Sequence, residues 1–237
     1  MLTSIVKQSD NEANFKYKLG QIGEAELQHK ISVATGILLL RVLIPIGDLS
    51  QWQDLHFGSI SKNTVTSQGK GLQIEVNKSA SPLIYALPAV SLVTGFNVKA
   101  QLHGDPKFET TAWSEDYPLR IGLVAQGEKT LSGPKKFFAP SWVKQLFSLA
   151  KDGQGVDKIY FFNWAPGFQK VGDRRNHPKS EFIIEEIFST TADSKLDLRF
   201  ELSKPLPVLA LWLSVDGDDL KKEYLLRIEH LELETKQ

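Results

Sequence analysis

Cysteine is missing altogether from the 237 residues. That excludes disulfide staples, a thiolate nucleophile and every cysteine-based metal centre. An excess of charge of either sign is missing too, since 28 lysines and arginines balance 28 aspartates and glutamates. Nucleic acids and anionic membranes attract basic surfaces, so the overall balance gives no reason to expect either. Long hydrophobic runs are also lacking. The most apolar stretch, Ile37 to Ile46, contains Arg41 and Pro45 and is too short to span a bilayer as a helix. The first twenty residues hold no secretory-type apolar core. The expectation is therefore no signal peptide, no membrane span and, by default, a cytoplasmic location.

Several chemical signatures are absent as well. No Gly-rich phosphate loop, dinucleotide fingerprint or Gly-x-Ser-x-Gly elbow occurs. The five histidines (His29, His56, His103, His177 and His230) never fall at metal-ligand spacing.

Alternation is what the chain does have. In Pro205 to Glu234, Leu209, Leu211, Leu213 and Val215 alternate with Val208, Ala210, Trp212 and Ser214, the period of a strand with one heavily buried face. Asp216-Gly217-Asp218-Asp219 interrupts the run with turn-forming residues. A second strand follows, in which Tyr224, Leu226 and Ile228 share one parity and Leu231 and Leu233 the other. A bulge near His230 would return both halves to one core. The expectation is a closing β-hairpin.

Further strands are expected in Ile31–Ile46, either as one or as two split at Gly36, and in Leu72–Val76, Ser81–Leu87, Thr94–Leu102, Pro118–Gln126, Asp157–Trp164 and Leu196–Leu202. Phe182–Ser189 fits a strand or a short helix. Ala139–Ala150 has Trp142, Val143, Leu146 and Phe147 at helical spacing, begun by Pro140 or capped by Ser141. No repeat or linker divides the chain. These features predict an all-β protein: one antiparallel β-sandwich over residues 1–237, a jelly roll, with one inserted helix and with residues 1–30 as an N-terminal extension.

Four constellations bear on function. The three carboxylates of Asp216, Asp218 and Asp219 suit either calcium or a solvated turn, and the turn explains them by conformation alone. Asp116 shares parity with Arg120 and is placed to hold it as an ion pair; Glu115 and Asp116 as an acid/base pair would point to opposite faces. Tyr160, Phe162 and Trp164 form an aromatic row that fits either a core or a sugar-stacking platform. Arg174 lies in the cationic stretch Gly172–His177, where an acidic sugar or phosphate would be met.

Three stretches resemble an uncharacterised bacterial family, a domain of unknown function with a galactose-binding-like β-sandwich. They are Gly71-Leu-Gln-Ile-Glu-Val76 with Ser79-Ala-Ser-Pro-Leu83, Glu115-Asp-Tyr-Pro-Leu-Arg-Ile-Gly-Leu-Val124, and Leu211-Trp-Leu-Ser-Val-Asp-Gly-Asp-Asp219. The resemblance runs from about Trp52 to Leu233; the Ala139–Ala150 helix and the long N-terminal region depart from it. It implies a fold and no activity.

The functional expectation is a non-enzymatic module that binds carbohydrate or cell-envelope polysaccharide. Trp113, Tyr117 and Trp164 would stack, and Asp116, Arg120 and Arg174 would bond hydroxyls. The alternatives are an assembly protein that binds another protein, and a polysaccharide lyase or hydrolase using Glu115, Asp116, His103 and Tyr117. No cofactor is expected beyond the calcium reading of the Asp-rich turn.

Overall fold

A computed structural model describes residues 32–34, 37–104, 116–150, 155–164, 174–176, 184–189 and 194–236. Twelve strands form one connected sheet. In chain order they are β1 (Ser32–Ala34), β2 (Ile37–Leu43), β3 (Trp52–Asp54), β4 (Thr64–Gln68), β5 (Gly71–Asn77), β6 (Ala80–His103) and β7 (Leu119–Gly127), followed after two helices by β8 (Gly155–Trp164), β9 (Arg174–Asn176), β10 (Ile184–Ser189), β11 (Lys195–Asp216) and β12 (Glu223–Lys236). The helices are α1 (Gly133–Phe138) and α2 (Ser141–Ser148). All strand pairs are antiparallel except β8 with β10. The all-β expectation therefore holds.

The main path of the sheet runs β1-β2-β12-β6-β11-β7-β8-β10-β9. This overturns the closing hairpin. β11 and β12 follow one another in sequence, but β6 lies between them and pairs with both. Alternation specifies which face of a strand is buried, and it says nothing about which strand lies alongside.

Two expected strand pairs are also fused. Ser81–Leu87 and Thr94–Leu102 are the two ends of the 24-residue β6, and Leu196–Leu202 and Val208–Val215 are the two ends of the 22-residue β11. These strands pair along almost their whole length, with irregularities between Glu201 and Leu206 and between Val208 and Ala210. Pro88 lies in the stretch of β6 opposite the second irregularity, and Pro205 lies within the first. Proline lacks the ladder donor, so an irregularity accommodates it readily. Residues 88–90 of β6 and 203–205 of β11 are exposed, while 80–85 of β6 and 208–216 of β11 are buried.

One core draws on strands from across the sheet. Leu211, Leu213 and Val215 of β11, Ile121 of β7 and Phe162 of β8 belong to it together with Leu72 and Ile74 of β5 and Leu226 and Ile228 of β12. The register of β12 slips between Ile228 and His230, so Glu229 is the extra residue of a bulge. As a result Leu226, Ile228, Leu231 and Leu233 all lie fully buried in that core despite their opposite parities. The bulge expected near His230 is present.

The opposite face of the β7–β8–β11 region is apolar as well. Val124, Ile159, Phe161, Ala210 and Trp212 form a second core with Leu146 of α2 and Leu55. This explains why Val208–Val215 is buried on both sides. Trp142 meets Trp212 edge-on at 5.9 Å, and Phe57 lies 6.2 Å from Trp212. Pro140 occupies the N-cap position of α2 with no side-chain cap, and Ser141 is the first helical residue. Burying Leu146 contributes about 1.5–3 kcal/mol to holding the helix down.

Candidate functional site

The segment joining β11 to β12 is fixed by backbone bonds to two other parts of the chain. Gly217 N–H donates to Ser79 O at 3.1 Å, Asp216 N–H to Tyr117 O at 3.1 Å, and Lys222 N–H to Gly217 O at 2.9 Å. Lys221 adopts a left-handed φ of 54° to complete the turn. Asp116 then clamps it. Its Oδ2 accepts from Leu220 N–H at 2.6 Å and its Oδ1 from Asp219 N–H at 3.2 Å. Bonds from backbone amides to a carboxylate are charge-assisted and relieve amides that the turn leaves without ladder partners.

Behind this turn lies a buried polar cluster. Arg120 projects toward the second core, with its guanidinium carbon 4.5 Å from the centre of the Phe161 ring and 5.2 Å from that of Tyr117. Its Nε donates to Asn163 Oδ1 at 3.2 Å, and its Nη1 lies 3.9 Å from Asp216 Oδ2. Ser214 Oγ donates to the same Asp216 oxygen at 3.3 Å, and Tyr224 Oη donates to Asp216 O at 2.9 Å. Asp216 Oδ1 is buried with no hydrogen-bond partner.

The electrostatics follow from that geometry. Burial pushes the Asp216 carboxyl up to about 7, against the pull of Arg120, and the nearby Asp116 and Asp218 charges push the same way. Burial also raises Asp116, although its two amide bonds oppose the shift. Tyr224 is held well above the ordinary phenol value by burial and by the adjacent Asp216.

The residues singled out in the sequence are thus partly brought together. Asp116, Tyr117, Arg120 and Asp216 meet in one cluster, but all four are less than a tenth exposed. Trp164 is fully buried in the main core, the structural reading of the aromatic row, and its ring offers no face to a sugar. Tyr117 is 2% exposed and lies against Arg120. The carboxylate that ends β11, Asp216, stands at Arg120, while Asp116 reaches Asp219 and Leu220. Trp113 and Glu115 lie outside the described residues. Arg174 lies on β9, which pairs with β10. His103 ends β6 opposite Leu225, with Nε2 buried and without a partner. Among the described residues, no group of three or more His, Asp or Glu side chains is placed to hold a metal ion.

Two surface features remain. A shallow hollow is lined by Gln68, Lys70, Leu72, Gln73, Arg227 and Glu229, with Arg227 Nη2 3.3 Å from Gln68 Oε1. The other is the projecting helix α1, entered through Gly133 at a φ of 57°. Its Phe137 and Phe138 are 78% and 82% exposed, and their rings meet edge-on at 5.3 Å. Lys144 of α2 donates its Nζ to Phe137 O at 3.2 Å, tying α1 to the helix that is anchored on the second core.

Reading the sequence for strands missed α1. The signal that marks it is local charge: residues 129–151 contain five lysines and no aspartate or glutamate. The balanced total of the whole chain hides that asymmetry. Compared with known proteins, the chain matches no family model, no curated protein and no solved structure.

Proposed function

We propose that this chain is a non-enzymatic binding module that works by surface docking, with α1 as its contact element. The observation that carries this reading is the exposure of Phe137 and Phe138 on α1, whereas most other large apolar side chains among the described residues are buried. Contiguous exposed aromatic surface mediates association far more often than it decorates a monomer. The Asp116–Arg120–Asp216 cluster serves that reading as a foundation: it fixes the β11–β12 connection and is enclosed by the sheet. The single core shared by β5, β7, β8, β11 and β12 supports a β-sandwich reading of the fold, and a jelly-roll or galactose-binding-like form belongs to the same proposal.

The test is a photo-crosslinking residue placed at position 138, with a control at exposed Lys204, in cells that make the protein. Adducts with protein or lipid formed at 138 and absent at 204 are expected. No adduct above the control at 138 overturns the docking reading.

A carbohydrate reading draws on the hollow beside Arg227, where amide, carboxylate and guanidinium groups suit sugar hydroxyls. A saccharide panel tests it by thermal shift, because a ligand of the native state raises the melting temperature with concentration. The shift should disappear in R227A if the hollow is the site.

A further inference from the structure

Building on the docking reading, we propose that α1 attaches the protein to the surface of an anionic lipid bilayer. The Phe137 and Phe138 rings enter the boundary between headgroups and acyl chains, and the surrounding lysines face the lipid anions.

Charge complementarity points to the lipid. The whole chain has a net charge of zero, yet Lys129, Lys135, Lys136, Lys144 and Lys151 occur in 23 residues with no opposing carboxylate among them. Lys129 is partly engaged by Asp157 of β8, at 3.0 Å. Screening confines charge effects to about 8–10 Å, so Lys136 on α1 and Lys144 at Phe137 O, and not the neutral total, set the charge beside the two rings. Each lysine near an anionic leaflet strengthens attachment.

Shape separates a bilayer from a protein groove. Residues that dock a helix in a groove recur three or four apart, on one face. Phe137 and Phe138 are adjacent, and their rings meet edge-on at 5.3 Å as one small exposed pair, not as a row along a helix face. A fluid interface takes in such a pair without a preformed pocket. Residue type agrees. Lysine is depleted from the cores of protein interfaces, whereas at a membrane its apolar stem lies beside the acyl boundary while the ammonium reaches the headgroups. The attachment is to the surface, since six helical residues cannot cross the hydrocarbon layer.

Vesicle flotation of the full chain tests this. Wild type, F137S/F138S and K135Q/K136Q are compared on phosphatidylcholine vesicles with and without phosphatidylserine. All three should keep the same circular dichroism spectrum, because the two rings and Lys136 are exposed. Wild type should float only with phosphatidylserine present and be released by salt. F137S/F138S should bind about a hundredfold more weakly, and K135Q/K136Q about thirtyfold. Folded wild type that ignores phosphatidylserine vesicles at low salt overturns the proposal. So does equal binding by F137S/F138S, which would mean charge adsorption without insertion. If vesicle binding fails while crosslinks to a protein persist at position 138, the partner is a protein and only the lipid assignment falls. If both fail, the docking reading falls with it.

Discussion

Replacing Asp216 with asparagine should make the protein more stable at neutral pH and leave it unchanged in mild acid. The Asp216 carboxyl is 6% exposed, has one oxygen without a hydrogen-bond partner, and faces Arg120 only at 3.9 Å. Its ionised form is therefore poorly compensated, and its pKa rises from 3.8 to about 7. An acid with a higher pKa when folded than when unfolded holds its proton more tightly in the folded state. Its stabilisation is complete below pH 4 and is lost as pH rises through about 7. The size of that shift corresponds to about 4 kcal/mol, or about 10 °C in melting temperature for a chain of this length. Protonated Asp216 and asparagine are nearly isosteric and both neutral, so D216N should match wild type near pH 4. By pH 8 it should exceed wild type by about 4 kcal/mol. Asp116 shifts in the same direction and its charge acts on Asp216, so the difference between the two proteins reports Asp216 together with that coupling. Urea titrations followed by tryptophan fluorescence, at half-unit steps of pH, would measure it. Parallel curves for the two proteins, or a D216N deficit that grows with pH, would refute the account of an uncompensated buried carboxylate.

Other substitutions probe separate parts of the fold. E234Q should cost about 1–2 kcal/mol at neutral pH, the value being limited by solvent around half-exposed Arg199. The Arg199 bonds hold the Glu234 carboxyl below its ordinary value of 4.5, so this stabilisation is present above that pH and lost in acid, where mutant and wild-type unfolding curves should converge. G122A should cost about 1–3 kcal/mol in urea unfolding, because a Cβ there would sit 2.8 Å from both Ile159 Cγ2 and Phe161 Cε1. W164A should cost about 3–5 kcal/mol as a core cavity; a melting temperature equal to wild type would return Trp164 to the surface. F137S/F138S should change unfolding free energy by less than about 0.5 kcal/mol, since neither ring is buried.

The burial pattern was legible in local sequence. Leu72, Ile74 and Val76 lie inside as their alternation requires, and the parity change between Ile228 and Leu231 marks a real bulge. The apolar face of α2 was equally clear, because Trp142, Leu146 and Phe147 recur at helical spacing and pack against the second core. The candidate site was legible only as residue types. Asp116 and Arg120 carry their chemistry in sequence, but Asp216, 96 positions beyond Arg120, reaches the guanidinium only because β11 pairs with β7 and sets Ser214 opposite Arg120.

The sequence by itself determined the alternation that puts Leu72, Ile74 and Val76 on one buried face, since hydrophobic periodicity is a property of adjacent positions on one strand or helix. It also determined the turn at Asp216-Gly217, where β11 ends. Only the tertiary structure decided that β6 separates β11 from β12, that Trp164 is core, and that Phe137 and Phe138 stand outside it. The physical reason is that strand partnership and exposure depend on which distant surfaces meet. One face of alternating residues is compatible with many neighbours, and the global packing of both cores selects among them.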